Sequence, residues 1–191
     1  FLEKIISAAN NIVIGDPLAE ETQMGPLCTI GQLHHIRNQI EKAVSTGAKI
    51  LCGGKSYGDV NSLFFEPTII SCSSQKVEIM DTELFGPVLT VMRFRTESEV
   101  IKLANDTKYG LAAGIFTRDS ARSLRMTKAI KAGIIWVNTY RAVSPIAQFG
   151  GIKQSGFGRE SGFQAIYDYT RPKTVWMNTS DEIISNPFVM R

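Results

Sequence analysis

A chain of 191 residues with 43% hydrophobic content can bury a sizeable core, so one domain with a protruding tail is expected. Its net charge of +3 is small and its lysines and arginines are scattered, which excludes a nucleic-acid or membrane-surface binder that works by charge. No apolar run approaches the ~20 residues of a membrane-spanning helix and no signal-peptide pattern opens the chain, which points to the cytoplasm.

The chain opens on Phe1-Leu2-Glu3-Lys4-Ile5-Ile6, already helical in period and without a capping residue before it, so it reads as cut from something longer. The period predicts a helix over 1–10, broken by Gly15-Asp16-Pro17. A second helix starts with Thr29 as N-cap and Gln32 at capping-box spacing, turns Leu33, Ile36, Ile40 and Val44 inward, and stops at Gly47. A short strand over 49–52 follows, then a polar loop over 55–62 and a strand over 64–70 whose Pro67 belongs at an edge or a start. From there strand and helix alternate: strand 88–94, helix 97–105, strand 111–117, helix 120–132, strand 134–138. Thr96 with Glu99 caps one of these helices, and Asp119 and Gly133 bracket the other. Such alternation predicts an α/β fold with a mostly parallel sheet flanked by helices, whose ligands gather at the carboxyl ends of strands. The loop over 138–149 falls at such an end. A last helix is expected over 162–169, and Lys173-Thr174-Val175-Trp176-Met177 is a β-prone run with an edge that another subunit would cover.

Three cysteines, Cys28, Cys52 and Cys72, are odd in number and form no Cys-x-x-Cys pair, which argues against a disulfide framework or a zinc site. Cys52 reads as core filler, and neither Cys28 nor Cys72 has the neighbouring base or helix start that marks a reactive thiol. His34 and His35 are adjacent, diverge on a helix, and make a poor metal pair. No metal site is expected. The glycines from Gly150 to Gly158 fit neither the dinucleotide fingerprint nor the Walker spacing; they read as places where backbone passes close to a neighbouring segment.

One stretch carries candidate binding chemistry: Glu83-Leu84-Phe85-Gly86-Pro87-Val88. In an extended segment residues two apart share a side, so Glu83 and Phe85 present a carboxylate and an aromatic face to one ligand. A sugar diol beside a flat heteroaromatic ring suits that pair. Together with Asn105-Asp106-Thr107-Lys108-Tyr109-Gly110-Leu111 and Phe149-Gly150-Gly151-Ile152-Lys153-Gln154-Ser155-Gly156, in that order, this stretch resembles the NAD(P)-dependent aldehyde dehydrogenase family. The resemblance runs from Phe1 to about Trp176 and covers only the later part of the family's chain.

The resemblance implies part of a catalytic domain of that family over 1–170 and an oligomerisation strand with its tail over 171–191. It implies an enzyme that oxidises an aldehyde to a carboxylic acid with NAD or NADP, assembled as a dimer or tetramer. Glu83 matches the family residue that bonds the nicotinamide ribose, Phe85 the aromatic that positions the nicotinamide ring, and Phe149 an aromatic of the aldehyde pocket. The loop over 140–148 corresponds to a variable substrate-facing segment. Its Arg141 suits either a carboxylate on the substrate or solvent alone. The family's cysteine nucleophile, general-base glutamate and oxyanion asparagine lie ahead of Phe1, so no catalytic residue is expected here and the chain alone is expected to be inactive. The alternative is a truncated, non-catalytic module that self-associates or binds a partner through its sheet edge.

Overall fold

Thr29 begins the helix on which the first half of the molecule is built. In this computed structural model, which describes residues 1–59, 62–182, 186, 188 and 189, Thr29 is extended and accepts a hydrogen bond from Gln32 N at 3.1 Å. The Gln32 side-chain oxygen accepts one in return from Cys28 N at 3.2 Å, completing a reciprocal cap. Helix α2 (Ile30–Ser45) buries Leu33, Ile36, Gln39, Ile40 and Ala43. It ends ahead of Gly47, whose φ of +95° is open to glycine at no steric cost. Before it, α1 (Leu2–Asn10) is amphipathic but buries no residue.

Strand β1 (Lys49–Cys52) pairs antiparallel with β2 (Thr68–Ser71), and β2 runs parallel to β3 (Val88–Val91). Leu33, Ile36, Ile40, Phe65, Ile70, Cys72, Ile79 and Leu84 form one buried cluster, each large side chain contributing about 1.5–3 kcal/mol by leaving water. The expected strand over 64–70 is shorter than its sequence. Pro67 has no amide to donate, Glu66 N bonds Lys55 O, and Phe65 makes only an isolated bridge to Ser56, so ladder pairing starts at Thr68.

Helix α3 (Glu97–Asn105), β4 (Ala112–Ile115), α4 (Ser120–Ala129) and β5 (Ile134–Val137) follow. β4 and β5 are parallel, with α4 as the crossover. Alternation suggests one sheet; the described residues form two, a mixed three-stranded sheet and a parallel two-stranded one. Two of the three strand pairings are parallel, so the mostly parallel character holds, while β3 and β4 share no ladder. Alternation fixes the sense of consecutive strands and leaves open whether they are neighbours.

The chain divides into two units, one of residues 1–142 and 150–158, the other of 143–149 and 159 onward. In the second, Phe149 and Glu160 exchange two backbone hydrogen bonds of 2.7 Å. A 3₁₀ turn (Phe163–Ala165) leads into α5 (Ile166–Tyr169), the helix expected over 162–169. Among the described residues the run over 173–177 has no ladder partner, and it is exposed, Trp176 to 92%. A β-prone sequence becomes a strand only against an edge.

Candidate functional site

The Glu83–Phe85 turn is pinned at both ends. Upstream, a 3₁₀ turn (Glu78–Asp81) puts Ile79 into the core, and Gln39 Nε2 donates to Glu78 Oε1 at 2.8 Å. That bond and the nearby Lys42 ammonium hold the Glu78 carboxyl below its ordinary range. Asp81 Oδ1 accepts from Thr107 Oγ1 and, at 3.2 Å, from Lys108 N. Downstream, Gly86 lies so close to α2 that a Cβ there would overlap Ile36 Cδ1, and Pro87 O accepts from Thr68 N at 2.8 Å.

Between these anchors Leu84 is buried, while Glu83 and Phe85 on either side of it are exposed, Phe85 to 76%. Both line one depression of about 330 Å³ with Thr82, Gly86, Val88 and Thr90. The structure thus brings the carboxylate and the ring to one place, as the alternation predicts. It adds a feature that alternation does not contain: Phe85 sits at φ +51°, in the left-handed region disfavoured for a bulky residue. A large apolar ring held outward by a costly backbone conformation answers to no need of the core.

The glycine-rich stretch is tied to the segment that follows α3 and to Gly133. Gly133 and Gly150 meet so closely that a Cβ on Gly133 would overlap the Gly150 carbonyl oxygen. Gly110 O accepts from both Gly133 N and Ile152 N at 3.0 Å, and Gly110 N donates to Ser155 Oγ at 3.1 Å. Lys153 Nζ donates to the carbonyls of Asn105 and Thr107 at 3.0 Å each, capping the end of α3. Gly150 and Gly151 serve close approach of backbone, in agreement with the sequence, whereas a Cβ at Gly156 or Gly158 would meet open space and Gly156 instead answers to its φ of +94°.

At the carboxyl end of β5, Asn138 clasps Thr117 with both ends of its amide: Oδ1 accepts from Thr117 N and Nδ2 donates to Thr117 O, each at 2.9 Å. It is structural, as its place at a strand end suggests. Beyond it Trp136 Nε1 donates to Ala142 O at 2.8 Å, and the Tyr140 ring meets the Trp136 ring edge-on at 5.4 Å. Phe149 is half-buried in the second unit, paired with Glu160.

The thiols are dispersed and unpaired. Cys28 is exposed; Cys52 is half-buried, with Sγ 3.8 Å from Pro67 O; Cys72 is buried, and burial pushes its pKa up. Among the described residues no cluster of three or more His, Cys, Asp or Glu side chains is arranged to hold a metal ion, and no helix is long and apolar enough to cross a membrane. The polar anchors Asp81, Asn105 and Lys153 carry no local signature in the sequence. The one signal for them is the dense polar run after α3, whose partners lie some 26 to 48 residues away.

The family model described as "Aldehyde dehydrogenase family" matches residues 1–175. The chain is 47% identical over 192 residues to (Z)-2-((N-methylformamido)methylene)-5-hydroxybutyrolactone dehydrogenase of Acinetobacter baylyi, covering 100% of this chain and 39% of that protein. It is 45% identical to a betaine aldehyde dehydrogenase of Brucella anthropi, covering 93% of this chain and 37% of that one. The crystal structure of PnpE from Pseudomonas sp. WBC-3 superposes with a TM-score of 0.88 at 42% identity, over 96% of this chain and 38% of that one. PnpE in complex with nicotinamide adenine dinucleotide superposes with a TM-score of 0.89 at 42% identity, over 98% and 39%. The chain therefore spans about two fifths of the length of these relatives.

Proposed function

The chain belongs to the aldehyde dehydrogenase family, and on that premise we propose that it is part of an enzyme oxidising an aldehyde to a carboxylic acid with NAD or NADP. The Glu83–Phe85 turn is its cofactor-facing element. One observation carries this reading: Phe85, exposed and strained, stands beside the exposed Glu83 on one depression. Those side chains fit a nicotinamide riboside, the Glu83 carboxylate accepting from ribose hydroxyls and the Phe85 ring lying against the heteroaromatic ring. When bound, the cofactor supplies the hydride acceptor. The chain's own part is to hold that end of it in a fixed orientation, with Gly86 seated on α2 as the rigid support. Phe149 is proposed to line the aldehyde pocket.

In the full protein, Glu83→Gln and Phe85→Ala should each raise KM for NAD(P) by roughly 10- to 100-fold while moving KM for the aldehyde far less. Steady-state kinetics with both substrates varied decides this; equal rises in the two constants would defeat the assignment.

Hydride transfer in this chemistry needs an activated thiolate. Of the chain's three thiols, one is shifted away from ionisation by burial and none has a basic side chain as a hydrogen-bond partner among the described residues. The 191 residues alone are therefore proposed to be inactive. NADH formation from an aldehyde by the purified chain, abolished by Cys→Ala substitution, would overturn that.

The exposed run Val175-Trp176-Met177 favours a second role, pairing with an edge of another subunit in a dimer or tetramer. Trp176→Glu should then lower the mass measured by light scattering. A non-catalytic module that only self-associates rests on the same run; an upstream coding sequence lacking a nucleophile motif would favour it. The free thiols support a cytoplasmic location, which cell fractionation tests.

A further inference from the structure

We infer that Asp81 is a positioning residue for the cofactor: tied to Thr107, it holds the Glu83 carboxylate and the Phe85 ring where they meet a nicotinamide riboside, an inference that rests on the reading above. Phe85 sits at φ +51°, and a residue strained in this way stays so only while its surroundings over-determine it. The chain must therefore be gripped on both sides. Downstream the grip is the seat of Gly86 against Ile36 and the bond from Thr68 N to Pro87 O. Upstream, the buried Leu84 is held by an attraction without direction. Thr82 closes only its own turn, through Oγ1 to Glu78 O at 2.8 Å. The nearest side-chain tie to another segment on that side is made by Asp81, two residues before Glu83.

Asp81 Oδ1 takes two donors at once, Thr107 Oγ1 and, at 3.2 Å, Lys108 N. A carboxylate can only accept, so the single hydroxyl proton of Thr107 goes to it, while Tyr109 N at 3.2 Å fills an acceptor position on the same hydroxyl oxygen. The seat is itself fixed. Lys153 Nζ donates to Thr107 O at 3.0 Å, and Gln75 Nε2 adds a second tie between the same two segments through Asp106 O at 3.1 Å. A charge-assisted bond to such a seat sets direction as well as distance and is stronger than a neutral one. Asp81 stands outside the depression that Glu83 and Phe85 share, so its part is played through the backbone of Thr82. Cutting the tie lets the left-handed turn relax, and the carboxylate and the ring lose their common orientation.

The probe is NADH, with NADPH alongside, titrated by its fluorescence into the full protein without aldehyde. Asp81→Ala and Thr107→Val should each raise the Kd of the preferred coenzyme roughly 5- to 50-fold. In turnover KM for that coenzyme should rise in step while KM for the aldehyde moves roughly twofold or less. Asp81→Asn keeps an accepting amide oxygen and Thr107→Ser keeps the hydroxyl, so both should retain most of the affinity. The double variant of Asp81→Ala with Thr107→Val should bind no more weakly than the weaker single one, because one bond is lost only once. An aspartate that serves the fold alone would lower stability to denaturant and leave Kd in place. An unchanged Kd in Thr107→Val, full additivity in the double variant, or equal weakening by Asn and Ala at position 81 would each overturn the inference. If Asp81→Ala does not fold, the near-isosteric Thr107→Val decides alone. Glu83→Gln and Phe85→Ala separate this inference from the one beneath it. If neither moves Kd, the reading of the turn falls and this one with it; if both do while Thr107→Val does not, this one alone falls.

Discussion

Around β1, β2 and β3, helix α2 brings Leu33, Ile36 and Ile40 into one buried cluster with Phe65 and Ile70. Around β4 and β5 the strand and helix residues that reach full burial are Ile115 and Met126. Position there is held by polar contacts at element ends: Asn105 between α3 and α4, Lys153 on the end of α3, Asn138 on Thr117, and Glu97 between Arg122 and Arg125. Apolar burial is non-directional and tolerates small shifts, whereas hydrogen bonds fix direction as well as distance. The two supports meet at the Glu83–Phe85 turn, which leans on Ile36 through Gly86 and on Thr107 through Asp81.

The largest effect belongs to the apolar side. Phe65→Ala should lower the free energy of unfolding by about 3–5 kcal/mol in a denaturant titration; an equal loss from Met126→Ala would erase the contrast between the two regions. Next comes Asn105→Ala. Asn105 Nδ2 donates to Ala129 O at 2.9 Å and its Oδ1 accepts from Lys131 N at 2.7 Å, so its removal should cost about 1–3 kcal/mol. Hydrogen exchange should show amides of β4 and β5 losing protection while those of β2 keep theirs. Parallel loss in both sheets would mean that the two regions open together.

The smallest effect is electrostatic. Hydrogen bonding from Arg125, then from Arg122, holds the Glu97 carboxyl well below its ordinary 4.5, at about 2. Between those values the unfolded chain binds the proton and the folded one does not, so stability rises with pH across that window. The contribution is complete above about 4.5 and is lost as pH falls through about 2. Glu97→Gln should flatten this part of the stability profile, and added salt should narrow the difference, because the pair is partly exposed.

Legibility in the sequence divides along the same line. Helix α3 lies where the Thr96 and Glu99 pattern puts it, and Thr96 Oγ1 does accept from Glu99 N at 3.1 Å. The inward face of α2 matches its period apart from Val44, which is exposed. Local signals of this kind survive because the partners lie within one turn. Helix α4 shows the opposite: its period continues to 132, yet it ends at Ala129, where Asn105, some 24 residues back, takes up the Ala129 carbonyl and then the Lys131 amide. The shared exposure of Glu83 and Phe85 follows from alternation around Leu84. The left-handed backbone at Phe85 and Arg141 does not, since residue type argues against it at both positions.

Asn138 has a consequence for how such a protein can diversify. By bonding both backbone groups of Thr117, its side chain supplies the last rung of the β4–β5 ladder without needing another residue of strand. The chain beyond it then turns against β5, with Ala142 O on the Trp136 indole and Tyr140 beside that ring, so the sheet is sealed before the longer loop begins. Insertions and substitutions after this point alter what the loop meets while the frame beneath stays in register. The amide acts as a selvedge, and the loop beyond it can vary without unravelling the cloth.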